Sequence, residues 1–301
     1  KIIEVPPHAG FRDILSAWMR ARRELGGVSF ELIVCLRYQI DCYDALLMKQ
    51  LHGDRRVGSH MDEGRRLALL RDGIFTESVS YPDFDPKAVA EGDGPMPCRE
   101  LCCHAAVLTK ALNTEVPWRT VLPDWRGERR RETDDRILVF PFGASRIRDY
   151  PVSRWHQVFA QLEEVFEGEI VLSSTPADRS RLEGLLPERG RGNSTRITVD
   201  CDQSIQQLVE AIGSARLIVS VETGPAHLAA CFDRNAVFLL GGGHYGLFAP
   251  WRNSKRQVWL SQRLDCFGCL WHCTRRSAEC ITEIDPNEIL KEITCRLEDE
   301  L

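Results

Sequence analysis

Nowhere in its 301 residues does the chain carry an apolar run approaching the roughly 18 residues of a membrane-spanning helix. Its first ten residues, KIIEVPPHAG, lack the apolar stretch of a secretory signal. A dominant charge is missing too: a net charge of −5 gives no global pull toward nucleic acid or an anionic membrane. Two phosphate-binding signatures are absent. The glycines at 241–243 are not followed by the Lys-Ser/Thr of a P-loop, and no G-x-G-x-x-G follows the strand at 136–142. An NTPase and a dinucleotide oxidoreductase are therefore disfavoured. There is no internal repeat. These absences lead us to expect a cytoplasmic protein without a nucleic-acid partner.

A chain of 301 residues suggests two domains, and 43% hydrophobic with 28% charged residues is ordinary for a soluble globular protein. Its twelve cysteines are many for the cytoplasm but are not spread as a disulfide framework. Cys266, Cys269, Cys273 and Cys280 form a C-x2-C-x3-C-x6-C group, a spacing that suits tetrahedral zinc or iron ligation by thiolates. Such a site would be structural, because four thiolates leave no open position for chemistry. His272 is a substitute ligand, and reduced, unliganded thiols are the alternative. Cys98, Cys102 and Cys103 form a looser group, and the remaining cysteines read as small buried hydrophobes.

From residue 136 onward the pattern alternates. Apolar strands are expected at 136–142, 169–174, 195–200, 216–221 and 235–243. Helices are expected at 153–166, 177–186, 204–215 and from Pro225. Trp155, Val158, Phe159, Leu162 and Val165 share one helical face; Ile205, Leu208, Val209 and Ile212 share another, with Ser204 as its N-cap. Continuous apolar strands between helices mean a parallel sheet covered on both faces, a Rossmann-like domain. The first part is less regular: helices at 11–25 and 97–112, a strand at 30–36, and a helix leading into a turn over 44–60. The domains are set at 1–125 and 136–285. A polar and basic linker spans 126–135, and a final helix covers 286–301.

In a doubly wound sheet, ligands bind at the carboxyl ends of the strands. Glu222-Thr223-Gly224 stands where a strand ends and a helix opens, with Pro225 in the first turn and His227 close behind. That corner is an anion site by its free N–H groups and helix dipole; a capped helix with a structural histidine is the alternative. The loop at 141–151 holds the small residues Gly143, Ala144 and Ser145 beside Arg146 and Arg148, which suits a diphosphate or a solvated basic loop. The glycines at 241–243 suggest close ligand approach or a sharp turn. Arg252, Lys255, Arg256, Arg263, Arg275 and Arg276 surround the cysteine group and read as a solvated face or an anion contact.

VSVETGPAHLAA (219–230) resembles the S-x-D-T-G-x-x-H-x-A-A signature of glycosyltransferase family 9, the ADP-heptose:lipopolysaccharide heptosyltransferase family. FPFGASRIRDYPVSRWHQVFAQL (140–162) is similar to the same family's G-A-x-x-x-K-x-W-P segment. FELIVCLRYQIDCYDALLMKQLHGDRRVGSH (30–60) and the cysteine-rich CFGCLWHCTRRSAECITEIDPNEIL (266–290) add two more blocks in the family's order. The resemblance implies a GT-B fold, two Rossmann-like domains with parallel sheets, and a last helix that packs back toward the N-terminal domain. It implies an inverting transferase that uses no catalytic metal and takes a nucleotide-sugar such as ADP-heptose. The acceptor would be a cell-surface glycan or lipopolysaccharide, lipid-linked or protein-borne, with peripheral contact at the inner face of the inner membrane. Carried over, Thr223 and Gly224 contact the donor diphosphate, with Glu222 and His227 beside them and Ala144 and Ser145 at the opposing turn. Arg148 stands where the family usually has Lys, Tyr150 where it has Trp, and Glu222 where it has Asp.

The family's catalytic base is an Asp that follows a Gly after the first strand. Asp13 fails as that residue on register, so no base is assigned in this chain. The sequence reads as beginning some 70 residues inside a normal member. Three readings stand. The leading one is a glycosyltransferase. The others are a catalytically impaired nucleotide-sugar-binding or scaffold relative, and a metal-thiolate regulatory protein.

Overall fold

The structure is a computed structural model that describes residues 11–36, 42–60, 73–80, 98–125, 134–186, 196–251 and 254–298. The chain divides into two units: of the described residues, the first holds those up to Ser80 and Arg99–Leu122, and the second holds Cys98 and those from Pro123 onward. The first unit carries three parallel strands in the order β1 (Ser29–Val34), β2 (His52–His60), β3 (Glu77–Ser80). Val57 of β2 is fully buried and packs with Val107 and Ala111 of the Arg99–Leu112 helix. On the other face Ala45 and Met48 of the Cys42–Gln50 helix pack with Cys35 and Ile74. The sheet is thus covered on both sides, as parallel sheets require.

One expectation fails here. The 44–60 stretch is not one helix with a turn: the helix stops at Gln50 and β2 occupies His52–His60. Val57 is the only large apolar side chain of β2, so its sequence carries little strand signal. Its charges are satisfied by neighbours instead. Arg55 pairs with Glu77 of β3 at 2.6 Å and donates to the carbonyls of Ala111 and Lys110.

The second unit holds six parallel strands in the order β6-β5-β4-β7-β8-β9. They are β4 (Asp134–Phe140), β5 (Glu169–Ser173), β6 (Ile197–Asp200), β7 (Ala215–Val221), β8 (Ala236–Leu239) and β9 (Gln257–Leu260). Strand side chains alternate between faces. Ile137, Val139, Leu217, Val219, Val237 and Leu239 enter one core with the Val152–Val165 and Pro286–Glu298 helices. Leu138, Phe140, Ile218, Ala236 and Phe238 enter the other with the Ile205–Ser214 and Gly224–Phe232 helices. β9 went unanticipated: four residues at a sheet edge carry too short a pattern.

Helix starts follow local chemistry. Ser204 and Gln207 form a reciprocal capping box, worth about 1 kcal/mol. Trp155, Val158, Phe159 and Leu162 are buried as their spacing predicts, whereas Val165 in the last turn is exposed. Ile205 is exposed too, at the first position of its helix. Ile289 and Ile293 of the final helix are fully buried in the core of their own unit. Arg216 and Asn235, at the starts of β7 and β8, donate to the carbonyls of Leu297 and Arg296. The apolar face of this helix serves the second unit. Of the expected 126–135 linker, residues 126–133 lie outside the described residues, and Asp134 and Asp135 already belong to β4. Among the described residues no helix is long and apolar enough to cross a membrane.

Candidate functional site

β4 and β7 are neighbours in register, Val139 beside Val219 and Phe140 beside Ser220. From this pair the strand order runs out in both directions, so it is the topological switch point of the sheet. The loops that follow the two strands emerge side by side at their carboxyl ends. A Cβ on Gly143 would lie 3.4 Å from the Glu222 carbonyl oxygen and 3.6 Å from Arg148 Cβ. The two loops predicted as phosphate contacts thus meet.

The 141–151 loop is built around a 3-10 turn at Arg146–Arg148. The Arg148 N–H donates to the Ser145 carbonyl at 3.0 Å, and the Gly143 N–H donates to Asp149 Oδ1 at 3.1 Å. Asp149 is itself held by Arg181, whose guanidinium lies over the Phe142 ring at 3.8 Å. Tyr150 anchors the end of the loop. Its hydroxyl donates to the Ile284 carbonyl at 2.7 Å, its ring packs edge-on against Trp155, and burial pushes its pKa up to about 12. Ala144 and Ser145 are exposed on this turn, while Arg148 points toward Glu222, its Nη1 3.7 Å from Oε1.

After β7, Thr223 takes extended backbone and the Gly224–Phe232 helix begins. The Thr223 hydroxyl does not cap the helix; it lies 3.1 Å from Ser220 Oγ, which leaves the first helical N–H groups without a side-chain partner. Gly224 is exposed, and a Cβ there would meet nothing within 4 Å. The fold therefore does not require glycine at this point. Its small size leaves room at the helix end. His227 stacks on Trp251 at 5.0 Å between ring centroids, and its Nδ1 is buried with no partner. Burial holds its pKa below the ordinary imidazole value; Glu222 opposes that shift, and Arg148 and His244 reinforce it. The ring is neutral at pH 7 and can offer an acceptor or a donor.

Glu222 is 3% exposed. His244 Nδ1–H donates to its Oε1 at 2.6 Å, while Oε2 is buried without a partner. Sequence reasoning passed over His244. The only available signal was a histidine directly after the glycines that end β8, the strand beside β7.

Of the two roles expected for those glycines, the sharp turn is there: the N–H groups of His244 and Tyr245 both donate to the Gly241 carbonyl at 3.1 Å. A Cβ on Gly241 would come within 2.1 Å of the Trp271 ring, on Gly242 within 2.2 Å of Phe267, and on Gly243 within 2.8 Å of Trp271. They admit the aromatic rings of the cysteine-bearing loop. Cys266, Cys269, Cys273 and Cys280 line one small cavity there, together with Gly242 and Gly243. The expected metal site is nonetheless not formed. Among the described residues, no group of three or more His, Cys, Asp or Glu is placed to hold a metal ion. Burial pushes the Cys273 and Cys280 thiols up. Of the basic residues nearby, Arg275 pairs with Glu279 at 2.8 Å and Arg256 donates to Asn235 at 3.3 Å; Arg252 lies outside the described residues.

A doubly wound parallel sheet in this strand order is the nucleotide-binding class of α/β protein, whose ligands sit at the edge just described. Within that class the chain belongs to glycosyltransferase family 9 (heptosyltransferase), whose model matches residues 105–272. It is a glycosyltransferase. The structure is similar to that of E. coli heptosyltransferase WaaC with ADP, at 15% identity and a TM-score of 0.64, covering 97% of this chain and 83% of that one. E. coli ADP-heptose lps heptosyltransferase II follows at 15% identity and a TM-score of 0.61, covering 95% and 81%. The family 9 glycosyltransferase of Veillonella parvula gives 13% and 0.62, covering 96% and 80%. These likenesses make the fold GT-B, with a parallel sheet in each unit. No curated protein matches the chain.

Proposed function

We propose that this glycosyltransferase moves a heptose-like sugar from a nucleotide-sugar, ADP-heptose in the first instance, to a hydroxyl of a cell-surface glycan or lipopolysaccharide, with inversion at the anomeric carbon. The observation that carries this reading is the meeting of Arg148 with the uncapped N-terminus of the Gly224–Phe232 helix at one switch point. Both supply positive potential where a diphosphate needs it. In the transfer, the acceptor hydroxyl oxygen bonds to the anomeric carbon as the bond to the diphosphate oxygen breaks, and the hydroxyl proton passes to solvent. The nucleoside diphosphate leaves with the electron pair. Arg148 and the helix N–H groups stabilise that developing charge. The neutral His227 and the Thr223 hydroxyl are placed to hydrogen-bond phosphate or sugar oxygens. The described cysteines are free thiols, which suits a cytoplasmic site of action.

Calorimetric titration with ADP-heptose and with UDP- and GDP-sugars tests the reading. ADP-heptose is expected to bind most tightly. Arg148→Gln is expected to weaken it about 10- to 100-fold, the range for losing a charge-assisted hydrogen bond. Failure of every nucleotide-sugar to bind the parent chain would overturn the proposal.

A further inference from the structure

Glu222 presents a physical difficulty. A buried carboxylate beside a diphosphate repels it. Arg148 is the obvious counter-charge, but an arginine locked onto Glu222 is less available to a ligand. The distances show that it is not locked. Arg148 Nη1 stays 3.7 Å from Glu222 Oε1, beyond a hydrogen bond, while His244 Nδ1 takes the same oxygen at 2.6 Å. A carboxylate can only accept, so the histidine donates through Nδ1–H.

His244 is held in place by its surroundings. Its ring packs edge-on against Phe248 at 4.7 Å and Trp271 at 5.2 Å. Trp271 is fixed in turn. It and Leu270 both adopt left-handed backbone, φ of 65° and 51°, a conformation that side-chain-bearing residues rarely adopt. That strained pair lays the indole over Gly241 and Gly243, where any Cβ would collide with it. A donor so supported keeps its direction.

We propose that His244 is a positioning residue for the donor site: it holds the Glu222 carboxylate so that Arg148 remains free for the diphosphate of the nucleotide-sugar. The inference rests on the donor reading above and adds to it a residue outside the predicted site. It also gives the cysteine-bearing loop a part in donor binding, through Trp271. Without the Nδ1–H donor, Glu222 recruits Arg148, and the ligand must compete for the guanidinium.

The test is calorimetric titration of four variants with ADP-heptose, or with whichever nucleotide-sugar binds the parent best. Thermal unfolding checks the fold of each. His244→Leu keeps bulk and loses the donor; affinity is expected to fall about tenfold. His244→Asn places an amide N–H near the Nδ1 position and is expected to bind within about threefold of the parent. His244→Gln reaches the Nε2 position instead and is expected to behave as Leu, so the Asn–Gln contrast decides the matter should the Leu variant fail to fold. In a Glu222→Gln background, His244→Leu is expected to change little, because no charge remains to be held. Parent-like binding by both the Leu and Gln variants, or an undiminished loss in the Glu222→Gln background, would overturn this inference and leave the donor reading standing. A parent chain that binds no nucleotide-sugar would overturn both.

Discussion

His227 has its charge state set by where the chain places it, stacked on Trp251 with Nδ1 out of water. Its folded pKa lies below its unfolded one. The stability tied to its neutral form is therefore present above the ordinary value of 6.5 and is lost as pH falls from there through the folded value. Thermal unfolding between pH 7.5 and about 5 should show the parent losing more of its midpoint than His227→Gln, which has nothing to protonate at that position. Equal losses would show that His227 is not the group responsible. The position of this histidine was legible in the sequence, since a helix-opening corner must follow a strand end. Its partner across the site was not. His244 meets Glu222 only because β8 lies beside β7, a neighbour relation that no local pattern contains.

Among the elements, the glycines carry the sharpest contrast. Gly242→Ala drives a methyl into the Phe267 ring, and overpacking of this kind costs about 1–3 kcal/mol. Gly224→Ala meets nothing, so stability should change by less than about 0.5 kcal/mol while donor affinity falls, because the methyl occupies space at the helix end. Chemical denaturation measures the first effect and calorimetry the second. Equal destabilisation by both variants would contradict the packing described. A run of three glycines reads as close ligand approach or as a sharp turn; the chain does turn there, and the rings of Phe267 and Trp271 that the glycines admit come from a later loop that no local pattern ties to them. The alternating elements of the second unit were readable because its strands are continuously apolar. β2 was not readable: its charges are satisfied by Glu77 and by helix-end carbonyls that come from elsewhere in the chain.

At the scale of the molecule, apolar strands alternating with helices implied a parallel sheet covered on both faces, and the second unit has one. The strand order was beyond that pattern. It follows from which crossovers pack, and it makes β4 and β7 the switch point where the predicted loops meet. The cysteine spacing does bring Cys266, Cys269, Cys273 and Cys280 to one cavity beside Gly242 and Gly243, yet among the described residues no group is placed to hold a metal ion. Spacing along a chain does not specify where sulfurs point. The central claim is that a donor diphosphate sits between Arg148 and the start of the Gly224–Phe232 helix. A crystal structure of the chain with a bound nucleoside diphosphate tests it most directly. The account predicts phosphate oxygens within hydrogen-bond distance of the Arg148 guanidinium and of backbone N–H groups at the Gly224 end of that helix. A diphosphate bound away from the β4–β7 switch point would contradict it.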